Sequence, residues 1–238
     1  MNVYKTDSIE ELLANNPYPG RGIVIGKSDD GAAVFAYFIM GRSENSRNRV
    51  FVERDGAVFT EPYDFAKVSD PSLIIYSAIR EIENKIIVTN GDQTDTIYDA
   101  IKAGGDMREG LRTREFEPDA PNLTPRISGV ITMGRGDFTY EMSILKSGTP
   151  DGTVCNRYFY EYTPVSGLGH FIHTYVTDGN PLPTFVGEPE RVSIPTDIDR
   201  FTKAIWDNLN EENKISLYVR YTDPKSGASD VRLINKHK

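Results

Sequence analysis

The sequence predicts an α+β fold, with antiparallel strands packed in layers and a few helices set apart from one another. Three observations carry this. Apolar runs come in pairs around short polar turns, as hairpins require. Residues 126–177 hold four strand-like runs in succession with no helical pattern between them. Helical periodicity surfaces only in separated windows, so the regular alternation of strand and helix that marks a parallel sheet is missing.

Taken in order, Ser8 and Glu11 form a capping-box pattern before an apolar stripe at Ile9, Leu12 and Leu13. NNPYPG ends that helix, because two prolines and a glycine cannot continue it. GIVIG and AAVFAYFIM then flank KSDDGA, and NRVFVER and AVFTEPY flank Asp55-Gly56. SLIIYSAIREI and KIIVTN turn at Glu83 and Asn84, so that Tyr76 closes the buried run LIIY. GDQTDTIYDAIKAGGD reads as a helix capped by Thr94 or Asp95, with Ile97 and Ile101 on one face and Gly104 at its end. MREGLRTREF is a weaker helix interrupted at Gly110, and the proline-rich EPDAPNLTP leads into RISGVITM, FTYEMSILK, NRYFYEYTPV and HFIHTYVT. A last helix, PTDIDRFTKAIWDNLN, starts at Pro195 or Thr196 and repeats Phe201, Ile205 and Leu209. KISLYVRYT and DVRLINK close the chain as a hairpin across DPKSGAS. Neither an internal repeat nor a linker divides residues 1–238.

The formal charge of −8 argues against a general binder of nucleic acid or membrane surface. It also makes a local cluster of arginines informative. The single cysteine, Cys155, excludes an intrachain disulfide and fits a reducing cytosol. With no apolar core in MNVYKTDSIEELLANN and no run near the ~20 apolar residues of a membrane span, a cytoplasmic protein is expected.

Polar clusters sit where apolar strands end, which is where a rigid scaffold presents functional groups. YPGRGIVIG resembles a phosphate loop but lacks the GxGxxG spacing, leaving Arg21 as an anion contact. FAYFIMGRSENSRNRVFVER delivers Arg42, Arg47 and Arg49 for forked bonds to an anion, with Asn45 and Asn48 beside them; read from composition alone it is equally a solvated turn paired by Glu44 and Glu53. VTNGDQTDTIYD feeds a helix N-terminus, which suits an anion or merely a cap. REFEPDAPNLTPRISG offers Glu115, Glu117 and Asp119 for proton transfer and Arg126 as a cation. His170 and His173, three apart on a strand, point to opposite faces and are poorly placed to share a metal.

YPGRGIVIG, AYFIMGRSENSRNR, VTNGDQTD and NLTPRISGV, in that order and spacing, resemble the archaeal-type IMP cyclohydrolase family, and its bacterial members most. The resemblance covers residues 17–135 well and the remainder loosely. It implies a single IMP cyclohydrolase-like domain over 1–238, with residues 1–16 as an N-terminal helical extension. It further implies a four-layered α-β-β-α sandwich similar to the N-terminal-nucleophile hydrolases, without such a nucleophile. The implied reaction is dehydrative closure of 5-formamidoimidazole-4-carboxamide ribonucleotide to IMP, an activity of the cyclic-amidine hydrolase class that needs no metal and no redox cofactor. The implied partner is that small purine ribonucleotide, with neither nucleic acid nor membrane, and exposed strand edges leave a homo-oligomer open. By the same resemblance Arg42 polarises the formyl or carboxamide oxygen, Tyr76 relays a proton, and Glu117 is the acid or base with Asp119 behind it. Arg21, Arg47, Arg49 and Arg126 are phosphate candidates, and Asn90, Asp92, Thr94 and Asn122 are further substrate contacts. Two other readings stand beside this one. One is an amidohydrolase of related fold using Cys155, the other a nucleotide-binding module without turnover.

Overall fold

The computed structural model describes residues 4–68 and 75–237. Along the chain run α1 (Ile9–Ala14), β1 (Arg21–Lys27), β2 (Ala33–Met40), α2 (Glu44–Arg47), β3 (Val50–Arg54), β4 (Ala57–Glu61), β5 (Tyr76–Ile82), β6 (Lys85–Thr89), α3 (Gln93–Lys102) and α4 (Met107–Leu111). Then come β7 (Arg126–Met133), β8 (Phe138–Ser147), β9 (Cys155–Tyr162), β10 (Leu168–His173), β11 (Glu190–Ser193), α5 (Ile198–Asn208), β12 (Lys214–Thr222) and β13 (Ser229–Asn235). They form two antiparallel sheets, one of six strands in the order β11-β10-β1-β2-β12-β13 and one of seven in the order β3 to β9.

Period-two alternation decides what each sheet buries. On β1 and β2 the odd-numbered Ile23, Ile25, Phe35, Tyr37 and Ile39 meet Val88, Ile127, Ile131 and Ile144 of the second sheet in one apolar cluster. Their even-numbered neighbours Val24, Val34, Ala36, Phe38 and Met40 pack on the other side with Ile9 and Leu13 of α1 and Phe201 and Ile205 of α5. All eight residues of β2 are therefore buried. On the seven-stranded sheet, Ile87, Val130 and Leu145 face away from the first sheet and pack with Ile97 and Ile101 of α3 and Met107 and Leu111 of α4. Among the described residues, no helix is long and apolar enough to cross a membrane.

Several local expectations shift. α3 has Asp92 as its N-terminal flanking residue, not Thr94 or Asp95, and no side chain caps it, because the Asp92 carboxylate is drawn to two arginines instead. α5 starts from Asp197, whose carboxylate accepts from the N–H groups of Asp199 and Arg200, so neither Pro195 nor Thr196 is the cap. Gly110 does not interrupt α4: the absent side chain lets that turn lie against α3, where a Cβ would come within 3.1 Å of Ala100 Cβ. Tyr76 opens β5 rather than ending a strand, and Ser72–Ile74 of the expected run lie outside the described residues. The helical part of the first segment is six residues long. Three elements had no sequence counterpart, the single turn α2, the 3-10 turn Phe65–Lys67 and the short edge strand β11.

Candidate functional site

A cavity of about 320 Å³ opens where the first residues of β1, the turn after β2 and the 117–124 connection converge, closed on the remaining side by Tyr175 and Leu182. Its volume lies within the range of small-ligand sites. The β2 exit explains the arginine-rich run. Gly41 passes so close to Ser46 that a Cβ would sit 2.8 Å from its carbonyl oxygen. Ser43 and Ser46 then cap one another reciprocally and force the single turn α2. That turn sends Arg42, Ser43, Asn45, Ser46 and Arg49 to the cavity wall. Arg47 points away and is consumed by the fold, donating to the Gly41 carbonyl and to Asn213. Asn48 likewise clamps Asp64 through two bonds.

The innermost feature is an ion pair. Arg21, the first residue of β1, donates from Nη2 to Glu117 Oε1 at 2.7 Å, and the two side chains are 12% and 7% exposed. Burial pushes the Glu117 carboxyl above its ordinary value, although Arg21 and then Arg126 pull against that shift. Burial is the largest influence on Arg21 and opposes its charge, yet the Glu117 carboxylate together with the Tyr175, Tyr76 and Tyr37 hydroxyls outweighs it and holds the guanidinium protonated. Arg21 Nε is buried without a partner, and Glu117 Oε2 accepts no hydrogen bond among the described residues. Arg49 is held by the Ser46 and Met40 carbonyls, while Arg42, nearer the mouth, donates to Asp178 and the Gly179 carbonyl and lies over the Tyr18 ring. Three guanidiniums and two carboxylates line this wall, with Asp178 pairing Arg42 at its rim, which concentrates cations here in an acidic protein.

Asp119 forms the second polar chain. It accepts from the backbone N–H of Thr124 at 2.7 Å and from the Thr124 hydroxyl, which is in turn 2.5 Å from the Tyr175 hydroxyl. Asn122 accepts from the N–H of Leu182 and so holds the 176–187 loop at the rim. Behind the cavity, the buried Tyr76 and Tyr37 hydroxyls are 2.8 Å apart, and burial raises both. Tyr76 lies within electrostatic reach of Arg49, Arg21 and Glu117 without lining the cavity.

Of the sequence-derived candidates, Arg21, Arg42, Arg49, Glu117, Asp119 and Asn122 therefore line one cavity. Asn90 and Thr94 are turned inward, Asn90 bonding the Pro125 carbonyl and the Ile127 N–H, Thr94 bonding Thr89 and the Gly91 carbonyl. Asp92 and Arg126 pair with each other, Arg126 lying close enough to lower the Glu117 carboxyl. Sequence reasoning passed over Tyr18, Tyr175 and Leu182, and saw Ser43 and Ser46 only as donors within the run after Gly41. Only Tyr18, one residue before the Pro-Gly-Arg turn, carried a local signal. Cys155 starts β9 away from this wall, and burial pushes its thiol up, so it offers no nucleophile here. His170 packs on Tyr162 with Nδ1 bonded to the Tyr140 hydroxyl, while His173 stacks on Phe171, the opposite faces expected.

Two stacked antiparallel sheets present a buried carboxylate beneath converging guanidiniums, an arrangement with the chemistry to hold a small anionic ligand beside a carboxyl able to exchange a proton. Comparison with known proteins narrows that chemistry. The family described as IMP cyclohydrolase-like protein matches residues 18–227, and the chain belongs to that family. An IMP cyclohydrolase of Methanopyrus kandleri is 33% identical over 162 residues, 66% of this chain and 75% of that protein. One from Methanococcus maripaludis is 37% identical over 128 residues, 52% of this chain and 62% of its own length. One from Haloarcula marismortui is 33% identical over 126 residues, 51% and 58% respectively. The chain thus covers three quarters of the first and about three fifths of the other two.

Proposed function

We propose that the protein is an IMP cyclohydrolase, closing the six-membered ring of 5-formamidoimidazole-4-carboxamide ribonucleotide. The carboxamide nitrogen adds to the formyl carbon, the formyl oxygen becomes a hydroxyl, and that hydroxyl leaves as water. One hydrogen is lost from the carboxamide nitrogen and one from the formamido nitrogen, so atoms balance and nothing is oxidised or reduced.

The observation that carries the proposal is Glu117: a buried carboxylate, raised above its ordinary value, lining an arginine-rich cavity and held by Arg21 through Oε1, with no hydrogen bond to Oε2 among the described residues. Such a group takes a proton from the attacking nitrogen and returns one to the departing oxygen. Arg49, deeper than Arg42, suits the formyl oxygen as negative charge grows there. Arg42, at the mouth with its side chain 35% exposed, suits the 5′-phosphate rather than the reacting carbonyl. Tyr76 and Tyr37 back the ion pair with protonated hydroxyls. Because both reacting groups belong to one molecule, holding them in near-attack geometry is a large share of the rate. In this reading the chain acts as one cytoplasmic domain, and its helices on the outer faces of two facing sheets make a four-layered sandwich similar to the N-terminal-nucleophile hydrolases. The three separate apolar clusters support that layering.

The test is conversion of the formamido ribonucleotide to IMP by the purified protein, followed by chromatography, beside Glu117→Gln. IMP formation lost in the variant supports the reading. No IMP above the uncatalysed rate, or an undiminished variant, sinks it.

A further inference from the structure

Resting on that reading, we infer that Tyr175 is a specificity-determining hydrogen-bond acceptor that recognises the carboxamide NH2 and orients it for attack. The reasoning is a count of protons. A carboxylate offers only acceptors, so the Thr124 hydroxyl, bonded to Asp119 Oδ2, spends its one proton there. The Thr124 oxygen is then left as an acceptor toward its other neighbour, so the Tyr175 hydroxyl at 2.5 Å must be the donor of that bond. The proton of Tyr175 is thereby committed, and burial, which pushes its hydroxyl up to about 12, keeps that proton in place. Tyr175 lines the cavity, and its hydroxyl there keeps lone pairs and has nothing to give.

The position of that oxygen selects which substrate atom it meets. Tyr175 is 2% exposed and lies in the electrostatic neighbourhood of Arg21, Glu117 and Asp119, at the reacting end rather than at the mouth beside Arg42. Its ring stacks on Tyr18 at 5.8 Å, and its backbone carbonyl accepts from Asn16 and is bonded to His173, so the hydroxyl is aimed by a rigid frame. An attacking carboxamide nitrogen carries two hydrogens. Glu117 Oε2 takes one, and Tyr175 accepts the other, which turns the nitrogen toward the formyl carbon. A ligand with a carboxylate in that place would set acceptor against acceptor.

The experiment uses two ribonucleotides that cannot cyclise, the 5-amino-imidazole-4-carboxamide and its 4-carboxylate counterpart, titrated calorimetrically into the full chain. The arginines bias absolute affinities toward the carboxylate, so the quantity read is the change in the carboxylate-to-carboxamide Kd ratio between variants. Thr124→Val frees the Tyr175 proton to donate, while the backbone N–H of residue 124 still reaches Asp119. The ratio is expected to fall roughly tenfold to a hundredfold, the range for a mismatched buried polar pair. Tyr175→Phe should lower it less, and Thr124→Ser should restore it. A purely structural role would weaken both ligands together, so an unchanged ratio in Thr124→Val and Tyr175→Phe, with the carboxamide still bound by the wild type, overturns the inference alone. Failure of the wild type to bind the carboxamide overturns it together with the proposed function.

Discussion

Replacing Arg21 by Met removes the ion-pair partner of a buried carboxylate, and the cost can be worked from the structure. Glu117 is 5% exposed, so without Arg21 it escapes burial as an anion by taking a proton. Holding a carboxyl of ordinary value near 4.3 neutral at pH 7 costs about 1.36 kcal/mol per unit, or about 3.7 kcal/mol as an upper limit. That agrees with the roughly 3–5 kcal/mol for breaking a buried pair. Arg126 still lowers the Glu117 carboxyl, so the observed loss should fall somewhat under the limit. The sign follows from proton counting: the folded variant holds a proton that the unfolded chain has released, so its stability declines as pH rises. Urea unfolding of wild type and Arg21→Met should therefore show a deficit of about 2–4 kcal/mol at pH 7 that shrinks by about 1.4 kcal/mol per unit toward pH 5. Equal deficits at both pH values, or one below about 1 kcal/mol at pH 7, would mean that Arg21 does not carry the charge of Glu117.

Three further outcomes follow from the same geometry. Because burial raises the Glu117 carboxyl, the acid limb of the wild-type rate profile should lie above the ordinary carboxylate range, and Glu117→Gln should lower kcat by roughly 10²–10⁴ without that limb. Arg42→Ala should raise KM roughly tenfold or more with kcat little changed, since a charge-assisted bond at the mouth serves ground state and transition state alike; steady-state kinetics separates the two. Gly20 has φ +78°, and a Cβ there would lie 2.3 Å from Thr174 Oγ1 and 2.5 Å from the Tyr175 ring. Gly20→Ala should thus cost at least about 1–2 kcal/mol in unfolding measurements and weaken nucleotide binding, because Tyr175 must move.

The strands were legible because alternation and turn residues are local, as at Asp55 and Gly56, both of positive φ, between β3 and β4. The start of α5 was misplaced because Pro195, Thr196 and Asp197 all suit a helix start, and only the reach of the Asp197 carboxylate decides. α2 and β11, four residues each, are too short to show a period. At the site, residues of the right chemistry were visible but their direction was not. Arg47 and Arg49 are two apart, yet one is spent on Asn213 and the other reaches the cavity, because Arg47 is the last residue of α2 and Arg49 follows its end. Asn90 and Thr94 looked like ligand contacts, and their side chains satisfy buried backbone groups, Asn90 at Pro125 and Ile127 and Thr94 at Gly91. Tyr175 was invisible for a different reason: it is 51 residues from the Thr124 hydroxyl that gives it meaning.

Arg21 starts a strand of one sheet and Glu117 precedes a strand of the other, 96 residues away in sequence. The ion pair therefore joins the two sheets as well as forming the proposed reaction centre, and the two roles can be separated. A buried pair replaced by apolar residues of similar volume commonly leaves stability unchanged or improved, whereas removing one partner does not. Arg21→Met combined with Glu117→Leu should accordingly recover most of what Arg21→Met alone loses, to within about 1 kcal/mol of wild type, while forming no IMP. That result would mean the pair is kept for its chemistry, because an apolar contact serves the sheet interface as well. A double variant as unstable as the single one would instead make the ion pair part of what holds the sheets together, and the catalytic role of Glu117 would then have to rest on the rate profile alone.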